Sequence, residues 1–311
     1  MENVKKLIAV VGPTASGKTS LGVFLAKKFG GEIISADSRQ VYKRLDIGTG
    51  KDLCEYNGVK YHLIDICEPE EKFTLFDYLK RARKIIDDIF SRGKLPVIVG
   101  GTGLYLQALI EGFSLQKFQN PNSKIQIKSK IQNPKYQRKE LDKMPLFELQ
   151  KIVSDYLPNK ANKASKAHNL DMNNPHRLIR AIEKAQEGVV PSKQKPDFEV
   201  LQIGINLLRE ELYQKIDQRV EEWFKDGIME EIEGLINAGV DPKWLISLGL
   251  EYRIIGNYII NKSNDFEGMK QELKYKIHQF AKRQLTWFRR FPEIKWIKNK
   301  KEAEILLKKY L

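Results

Sequence analysis

Eight residues near the N-terminus, Gly12-Pro13-Thr14-Ala15-Ser16-Gly17-Lys18-Thr19, have the types and spacing to hold a phosphate. In a GxxxxGK[ST] loop, glycines let successive backbone N–H groups turn inward around one anion. A helix that starts where the loop ends adds the partial positive charge of its N-terminus. Lys18 reaches phosphate oxygens, and the Thr19 hydroxyl can ligate Mg²⁺. The pattern does not say which phosphate compound is held. A nucleotide hydrolase also needs an acidic residue at the end of a buried strand. The apolar run Leu95–Val99 ends instead in Gly100-Gly101-Thr102-Gly103, which leaves room for a ligand to approach the backbone closely. Asp65, in the run Tyr61–Ile66, either serves a metal or caps its strand. Asp37 follows the run Glu32–Ala36, at the edge of an α/β sheet where ligands bind; the other reading is an Asx turn leading into Ser38.

These residues need a scaffold, and the hydrophobic pattern supplies one. Leu7–Val11 is a short apolar run that stops at Gly12, as a buried parallel strand would. Thr19–Phe29 reads as a helix closed by Gly30-Gly31. Further strands are expected at Glu32–Ala36, Tyr61–Ile66, Leu95–Val99 and Val200–Leu207, with a short one at Ile294–Ile297. Helices are expected at Leu75–Phe90, Arg209–Ala238 and Phe266–Phe291. Alternating strands and helices imply an α/β fold: a P-loop NTPase-like parallel sheet flanked by helices. Residues 114–198 break the pattern. They lack β-branched runs, are rich in Lys, Asn and Gln, and are punctuated by Pro121, Pro134, Pro145, Pro158, Pro175, Pro191 and Pro196. Helical pieces such as Leu146–Leu157 and Pro175–Gln186 lie between the breaks. This segment reads as a small helical domain inserted into a core made of residues 1–113 and 199–311.

Composition narrows the class. The 311 residues are 41% hydrophobic and 30% charged, ordinary for a soluble globular chain. No apolar run reaches the ~18 residues of a membrane span, and Met1–Lys6 does not read as a signal peptide. Cys54 and Cys67 have no metal-ligand spacing and read as free thiols of a reducing compartment, so a cytoplasmic location is expected. The net charge of +14 is uneven: +3 over residues 1–113, +9 over 114–198, −6 over 199–266 and +8 over 267–311. Concentrated basic charge fits a polyanion partner, or else a solvated basic surface. In the last helix Lys276, Arg283 and Arg290 recur every seven residues, as do Lys282 and Arg289, so each set forms a stripe. Trp287 and Phe288 lie among them. Such a surface suits phosphate and base contacts, although Trp287 can equally pack in a core.

Several blocks in order, spanning nearly the whole chain, resemble the tRNA dimethylallyltransferases, also called tRNA isopentenyltransferases. They are GPTASGKT (Gly12–Thr19), SADSRQVYKRLDIGTGK (Ser35–Lys51), YHLID (Tyr61–Asp65), RGKLPVIVGGTGLY (Arg92–Tyr105), NNPHRLIRAIE (Asn173–Glu183), LYQKIDQRV (Leu212–Val220) and FAKRQLTWFRRF (Phe280–Phe291). The chain departs from the family's usual GTAKP at Gly50 and Asp52, and from its usual aromatic at Leu250. The resemblance implies transfer of a dimethylallyl group from dimethylallyl diphosphate to N6 of the adenine 3′ to the anticodon, position 37 of tRNA. It implies that the loop Gly12–Thr19 holds the donor's diphosphate with Mg²⁺ on Thr19, and that Thr14–Thr19 contact the donor. Arg219 joins Lys18 and Thr19 on the diphosphate, and Asp37 acts on the adenine amine. Asp37, Ser38, Arg39, Gln40 and Thr102 lie on the tRNA side. So do His176, Arg177, Leu178, Ile179, Arg180, Lys282 and Arg283. From spacing alone Arg177, Arg180 and Arg219 could be surface charges, Arg219 pairing along its helix near Lys215, Glu221 and Glu222. The alternatives are an adenylate (AMP/ATP) isopentenyltransferase and a P-loop small-molecule kinase. A monomer is expected.

Overall fold

The computed structural model describes residues 4–114, 136–156, 170–187, 192–193 and 196–311. The chain divides into two compact units, Met1–Gly112 with Lys195–Leu311, and Phe113–Gln194. Pro121, Pro134, Leu157, Pro158 and Pro191 lie outside the described residues, as do the first three of Met1–Lys6. The first unit opens with β1 (Lys5–Val11), α1 (Lys18–Phe29), β2 (Gly31–Ser35), α2 (Leu53–Tyr56), β3 (Tyr61–His62), α3 (Leu75–Ser91), β4 (Leu95–Gly100) and α4 (Gly103–Ile110). The second holds β5 (Phe113–Ser114), α5 (Arg138–Leu141), α6 (Leu146–Tyr156), α7 (Pro175–Glu187) and β6 (Ser192–Lys193). The first resumes with β7 (Phe198–Ile205), α8 (Arg209–Lys225), α9 (Ile228–Asn237), α10 (Pro242–Leu248), α11 (Leu250–Ile260), α12 (Phe266–Phe288), β8 (Lys295–Ile297) and α13 (Lys300–Tyr310).

Six strands form one parallel sheet in the order β3-β2-β4-β1-β7-β8. Ile8 of β1 lies opposite Val97 on one side and Leu201 on the other. Leu7, Ile8, Ala9 and Val10 are all fully buried, because helices cover both faces and leave no outward-facing polar row. One face packs Leu21 and Leu25 of α1 with Ala303 and Leu307 of α13. On α3 and α4, Tyr78 stacks on Tyr105 with ring centroids 4.2 Å apart. A second core joins α8, α9, α11 and α12 through Ile216, Val220, Ile232, Tyr252 and Ile277, and takes in Val41 and Leu45 from the segment after β2. The second unit closes around its own small core of Leu141, Leu149, Val153, Leu178, Ile179 and Ile182.

Three expected elements end differently. The third strand stops at His62, because Leu63 and Asp65 take left-handed backbone at φ 63° and 54°. Asp65 therefore leaves the sheet and pairs with Lys51, whose ammonium is buried and also donates to the Tyr42 carbonyl and to Asp46 Oδ1, each at 2.7 Å. The long helix expected over Arg209–Ala238 breaks at Gly227, φ 93°, into α8 and α9. The C-terminal helix ends at Phe288, so Arg289 and Arg290 sit at and beyond its cap.

Strand β4 runs so close to the end of β2 that Gly100 has no space for a side chain. A Cβ there would stand 2.3 Å from the Ala36 carbonyl oxygen and 2.5 Å from its carbon. Backbone cannot step aside as a flexible side chain can. Gly100→Ala should therefore cost about 1–3 kcal/mol of unfolding free energy, read from the denaturant midpoint. An unchanged midpoint would mean that the sheet edge yields freely.

Candidate functional site

The loops that follow β1, β2 and β4 all emerge at the same end of the sheet and enclose a cavity of about 690 Å³. The Gly12–Thr19 loop is one wall. Ala15 and Gly17 take left-handed backbone at φ 58° and 83°, and α1 begins at Lys18 directly after the turn. Thr14, Ala15, Gly17, Lys18 and Thr19 line the cavity. Gly12, Pro13 and Ser16 do not line it; they are buried behind it. The Ser16 hydroxyl has no hydrogen-bond partner and would lie 3.0 Å from a Cβ at Gly12. Lys18 Nζ donates to the Pro13 carbonyl at 2.5 Å. Burial pushes the Lys18 ammonium down to about 8; the nearby Arg219 cation adds to the fall and the Asp37 carboxylate opposes it.

The opposite wall carries Asp37, Ser38 and Thr102. Asp37 Oδ1 accepts the Arg39 N–H at 2.9 Å. The Asx turn and the position at the cavity therefore both hold for this residue. Thr102 donates its N–H to the Ala36 carbonyl and accepts the Ser38 N–H on its hydroxyl, both at 3.2 Å, so the Gly100–Gly103 turn is sewn to the Asp37 turn. Arg39 and Gln40 also line the cavity, but their polar ends are engaged within the protein. Arg39 pairs with buried Glu251 and lies 3.9 Å from Asp37, and these carboxylates hold its guanidinium charged against burial. Gln40 accepts from the Ser35 hydroxyl at 2.8 Å and donates to the carbonyls of Gly50 at 3.1 Å and Thr49 at 3.3 Å. They act as struts for the segment Ser38–Asp52.

That segment is pinned from the far side too. Glu231 accepts backbone N–H bonds from Asp46 and Ile47, each at 2.7 Å, and a 2.8 Å bond from the Tyr252 hydroxyl. Gly50 is thereby held against Arg219, where a Cβ would lie 1.9 Å from Nη2. Arg219 projects from α8 into the cavity wall with Lys215, Gln218 and Glu222. Its Nη2 lies 3.1 Å from Asp52 Oδ2, and its guanidinium carbon stands 5.5 Å from the centre of the Trp223 ring. The expected pairing along the helix is absent for Arg219: Glu222 accepts from Gln218 at 2.8 Å, and Glu221 pairs with Lys270 and Lys274.

Helix α12 closes the cavity. Leu273, Ile277, Ala281, Gln284 and Phe288 form its buried face. Gln284 Oε1 accepts the Thr14 N–H at 2.8 Å, and Nε2 donates to the Gly101 carbonyl at 3.0 Å. Trp287 lines the cavity against Gly103, where a Cβ would lie 2.3 Å from Nε1; that indole nitrogen is buried without a partner. Arg283 reaches the cavity with its guanidinium 5.8 Å from the Phe280 ring, whereas Lys282 is exposed outside it. Arg290 lies over Trp287 at 5.5 Å.

The remaining candidates belong to the second unit, on α7. His176, Arg177 and Arg180 are exposed, and Arg180 pairs with Glu183 at 3.0 Å. Leu178 and Ile179 are 0% and 2% exposed in that unit's core, where their side chains hold the helix down. Asp65 also leaves the candidate list, since it does not line the cavity and its carboxylate serves Lys51. Sequence reasoning missed Gln284, Glu251 and Asp52. Gln284 did carry a signal: a lone amide at a position where helical spacing calls for an apolar residue.

Comparison with known proteins gives a consistent picture. A family model described as IPP transferase matches residues 40–291, and one described as isopentenyl transferase matches residues 5–60. The tRNA dimethylallyltransferase 1 of Parabacteroides distasonis is 41% identical over 309 residues, covering 94% of this chain and 92% of its own. The tRNA dimethylallyltransferase 2 of Treponema denticola is 43% identical, covering 93% and 95%. Among solved structures, the tRNA isopentenylpyrophosphate transferase of Staphylococcus epidermidis matches 99% of this chain and 100% of its own, at 32% identity and a TM-score of 0.68. A eukaryotic dimethylallyltransferase described as acting on tRNA matches 91% of this chain and 69% of its own, at 27% identity and a TM-score of 0.67.

The depressed Lys18 has a measurable consequence. Only its protonated form attracts an anion. With the free group at about 8, and with a bound diphosphate raising it, anion affinity should be flat below that pH. Above it, affinity should fall by roughly tenfold per pH unit until the bound-state value is reached. Pyrophosphate titrations from pH 7 to 9.5 read this directly. Lys18→Arg, which stays charged throughout, should flatten the profile; an equally steep fall in that variant would assign the titration elsewhere.

Proposed function

Given that this chain belongs to the IPP transferase family, we propose that it transfers a dimethylallyl group from dimethylallyl diphosphate to N6 of adenine 37 in tRNA, giving N6-isopentenyladenosine. One observation carries the reading. Two cations, Lys18 and Arg219, and a carboxylate with a hydroxyl beside it, Asp37 and Thr102, open into one cavity. A diphosphate needs the first pair and an amine nucleophile needs the second.

In the reaction the C–O bond to the diphosphate breaks and a C–N bond to N6 forms. Lys18, Arg219 and the loop amides stabilise the charge that develops on the leaving oxygen. Asp37 accepts the proton that N6 loses, and the Thr102 hydroxyl, which already accepts from Ser38, keeps its own proton to orient the base. The described residues contain no cluster of three His, Cys, Asp or Glu that could hold a metal by itself. Thr19 with the donor's own oxygens and water fits Mg²⁺, which favours phosphate and water ligands over an all-protein cage. Bound there, the ion would neutralise diphosphate charge. The exposed cations Lys282, Arg283, Arg289 and Arg290 favour a polynucleotide acceptor over AMP, since a mononucleotide needs no such surface. The cytoplasm is the proposed site of action. No helix among the described residues is long and apolar enough to cross a membrane.

The direct test incubates the enzyme with labelled dimethylallyl diphosphate and either tRNA or AMP, followed by mass spectrometry of the nucleosides. Labelled N6-isopentenyladenosine in tRNA is expected; label in AMP alone would overturn the reading. Asp37→Asn keeps the Oδ1 acceptor for Arg39 but cannot take a proton. It should slow single-turnover transfer by ~10²–10⁴ with donor and tRNA affinities little changed. Rescue by high Mg²⁺ would instead make Asp37 a metal-site residue. Replacing Lys282, Arg283, Arg289 and Arg290 together should reduce the slope of log affinity against log salt by about 3. If the slope stays as it was, those four residues are only a solvated face.

A further inference from the structure

Strands β1 and β4 remain paired up to Val11 and Gly100. Past that pair each chain enters its own glycine-rich turn. One turn carries the phosphate loop. The other is tied to Asp37 through the Thr102 N–H and hydroxyl. Gln284 spans the two turns, taking the Thr14 N–H at 2.8 Å and giving its own N–H to the Gly101 carbonyl at 3.0 Å. It is 9% exposed. A Cβ at Gly101 would lie 2.7 Å from Nε2, so the bridge and the glycine require each other. Of the side chains that fit this length, an amide alone presents an acceptor and a strong donor in one plane. Leucine offers neither, and glutamate offers two acceptors.

We infer that Gln284 is a positioning residue for the transfer, fixing the register of the donor loop against the turn that carries the acceptor-side groups. The inference rests on the proposed function, which assigns the donor to one turn and the base to the other. Gln284 lines the cavity, and its amide is engaged on both sides by backbone. It acts through Thr14 on the first turn and through Gly101, next to Thr102, on the second. Displacement of one turn against the other changes the separation of the donor carbon and N6 without removing any group that binds either substrate. Reacting atoms must approach to about 3–3.5 Å, and a misplacement of ~1 Å can cost ~10²-fold in rate.

The experiment measures single-turnover transfer to tRNA, together with donor affinity and tRNA affinity, for the unaltered enzyme, Gln284→Leu and Gln284→Glu. Gln284→Leu is expected to slow transfer by ~10²-fold while both affinities stay close to those of the unaltered enzyme. Gln284→Glu keeps the acceptor for Thr14 but sets a second acceptor against the Gly101 carbonyl, so it is expected to be at least as slow. If Gln284→Leu fails to fold and binds neither substrate, Gln284→Glu supplies the reading. Transfer at the unaltered rate in either variant overturns the inference. So does a loss of rate matched by an equal loss of donor affinity, because Gln284 would then merely support the phosphate loop. Absence of transfer by the unaltered enzyme overturns the functional reading, and this inference with it; a defect confined to binding overturns the inference alone.

Discussion

The site depends on close approach of backbone at one end of a parallel sheet. Adjacent parallel strands β1 and β4 end together, and the turns after them must lie against each other, against the end of β2 and against α12. Gly100 has the Ala36 carbonyl where a side chain would go, Gly101 has the Gln284 amide, and Gly103 has the Trp287 ring. The run Gly100-Gly101-Thr102-Gly103 is therefore glycine where a neighbour occupies the space. Thr102 is the exception, and its hydroxyl links this turn to Ser38. The cavity wall mixes polar side chains such as Lys18, Asp37 and Arg219 with aromatic ones such as Trp223, Phe280 and Trp287.

Charge gives the cavity its sign. Burial penalises the charge on Lys18, and the nearby Arg219 cation adds to the penalty. A bound anion would relieve both costs, so the site favours an anionic ligand. Arg219 meets the Asp52 carboxylate and lies over Trp223. The two departures from the family pattern in this segment both meet that arginine. Gly50 leaves the space its Nη2 fills, and Asp52 accepts its charge. Asp52 also has φ 25°, which the fixed ring of a proline could not adopt. The segment Ser38–Asp52 and Arg219 thus make one local arrangement, secured from behind by Glu231.

Much of this was legible in the sequence, and the exceptions have physical reasons. Strands β1, β2 and β4 are buried on both faces along most of their length, and β7 at its C-terminal end, so they read as apolar runs. The loop Gly12–Thr19 was legible because its turn is local: eight consecutive residues contain both left-handed positions and the lysine that opens α1. The third strand was misread because in YHLIDI only His62 and Asp65 interrupt the strand-forming residues, yet Leu63 and Asp65 turn left-handed and Asp65 meets the buried Lys51, 14 positions earlier. Gln284, Glu251 and Asp52 work through partners between 167 and 270 positions away, and no local pattern encodes such a pairing. Leu178 and Ile179 stand in a block rich in site residues, but helical spacing turns them with Ile182 into their own unit's core. A motif marks a segment, and the helical period decides which of its residues face out.

Helix α12 presents an exposed basic face and a buried face, and the period of the helix makes that possible. Lys282 and Arg283 are exposed, and the residues on either side of them, Ala281 and Gln284, are buried. A polyanion bound to the outer residues need not disturb the inner ones, since Ala281, Ile277 and Phe288 anchor the helix in packed core. The inner face cannot be apolar throughout. Where it passes the two turns it meets the N–H of Thr14 and the carbonyl of Gly101, two part-buried backbone groups that need partners. One glutamine satisfies both. The sequence thus places a polar residue in a buried stripe where two backbone groups need partners. The same choice joins the basic helix to both turns of the cavity.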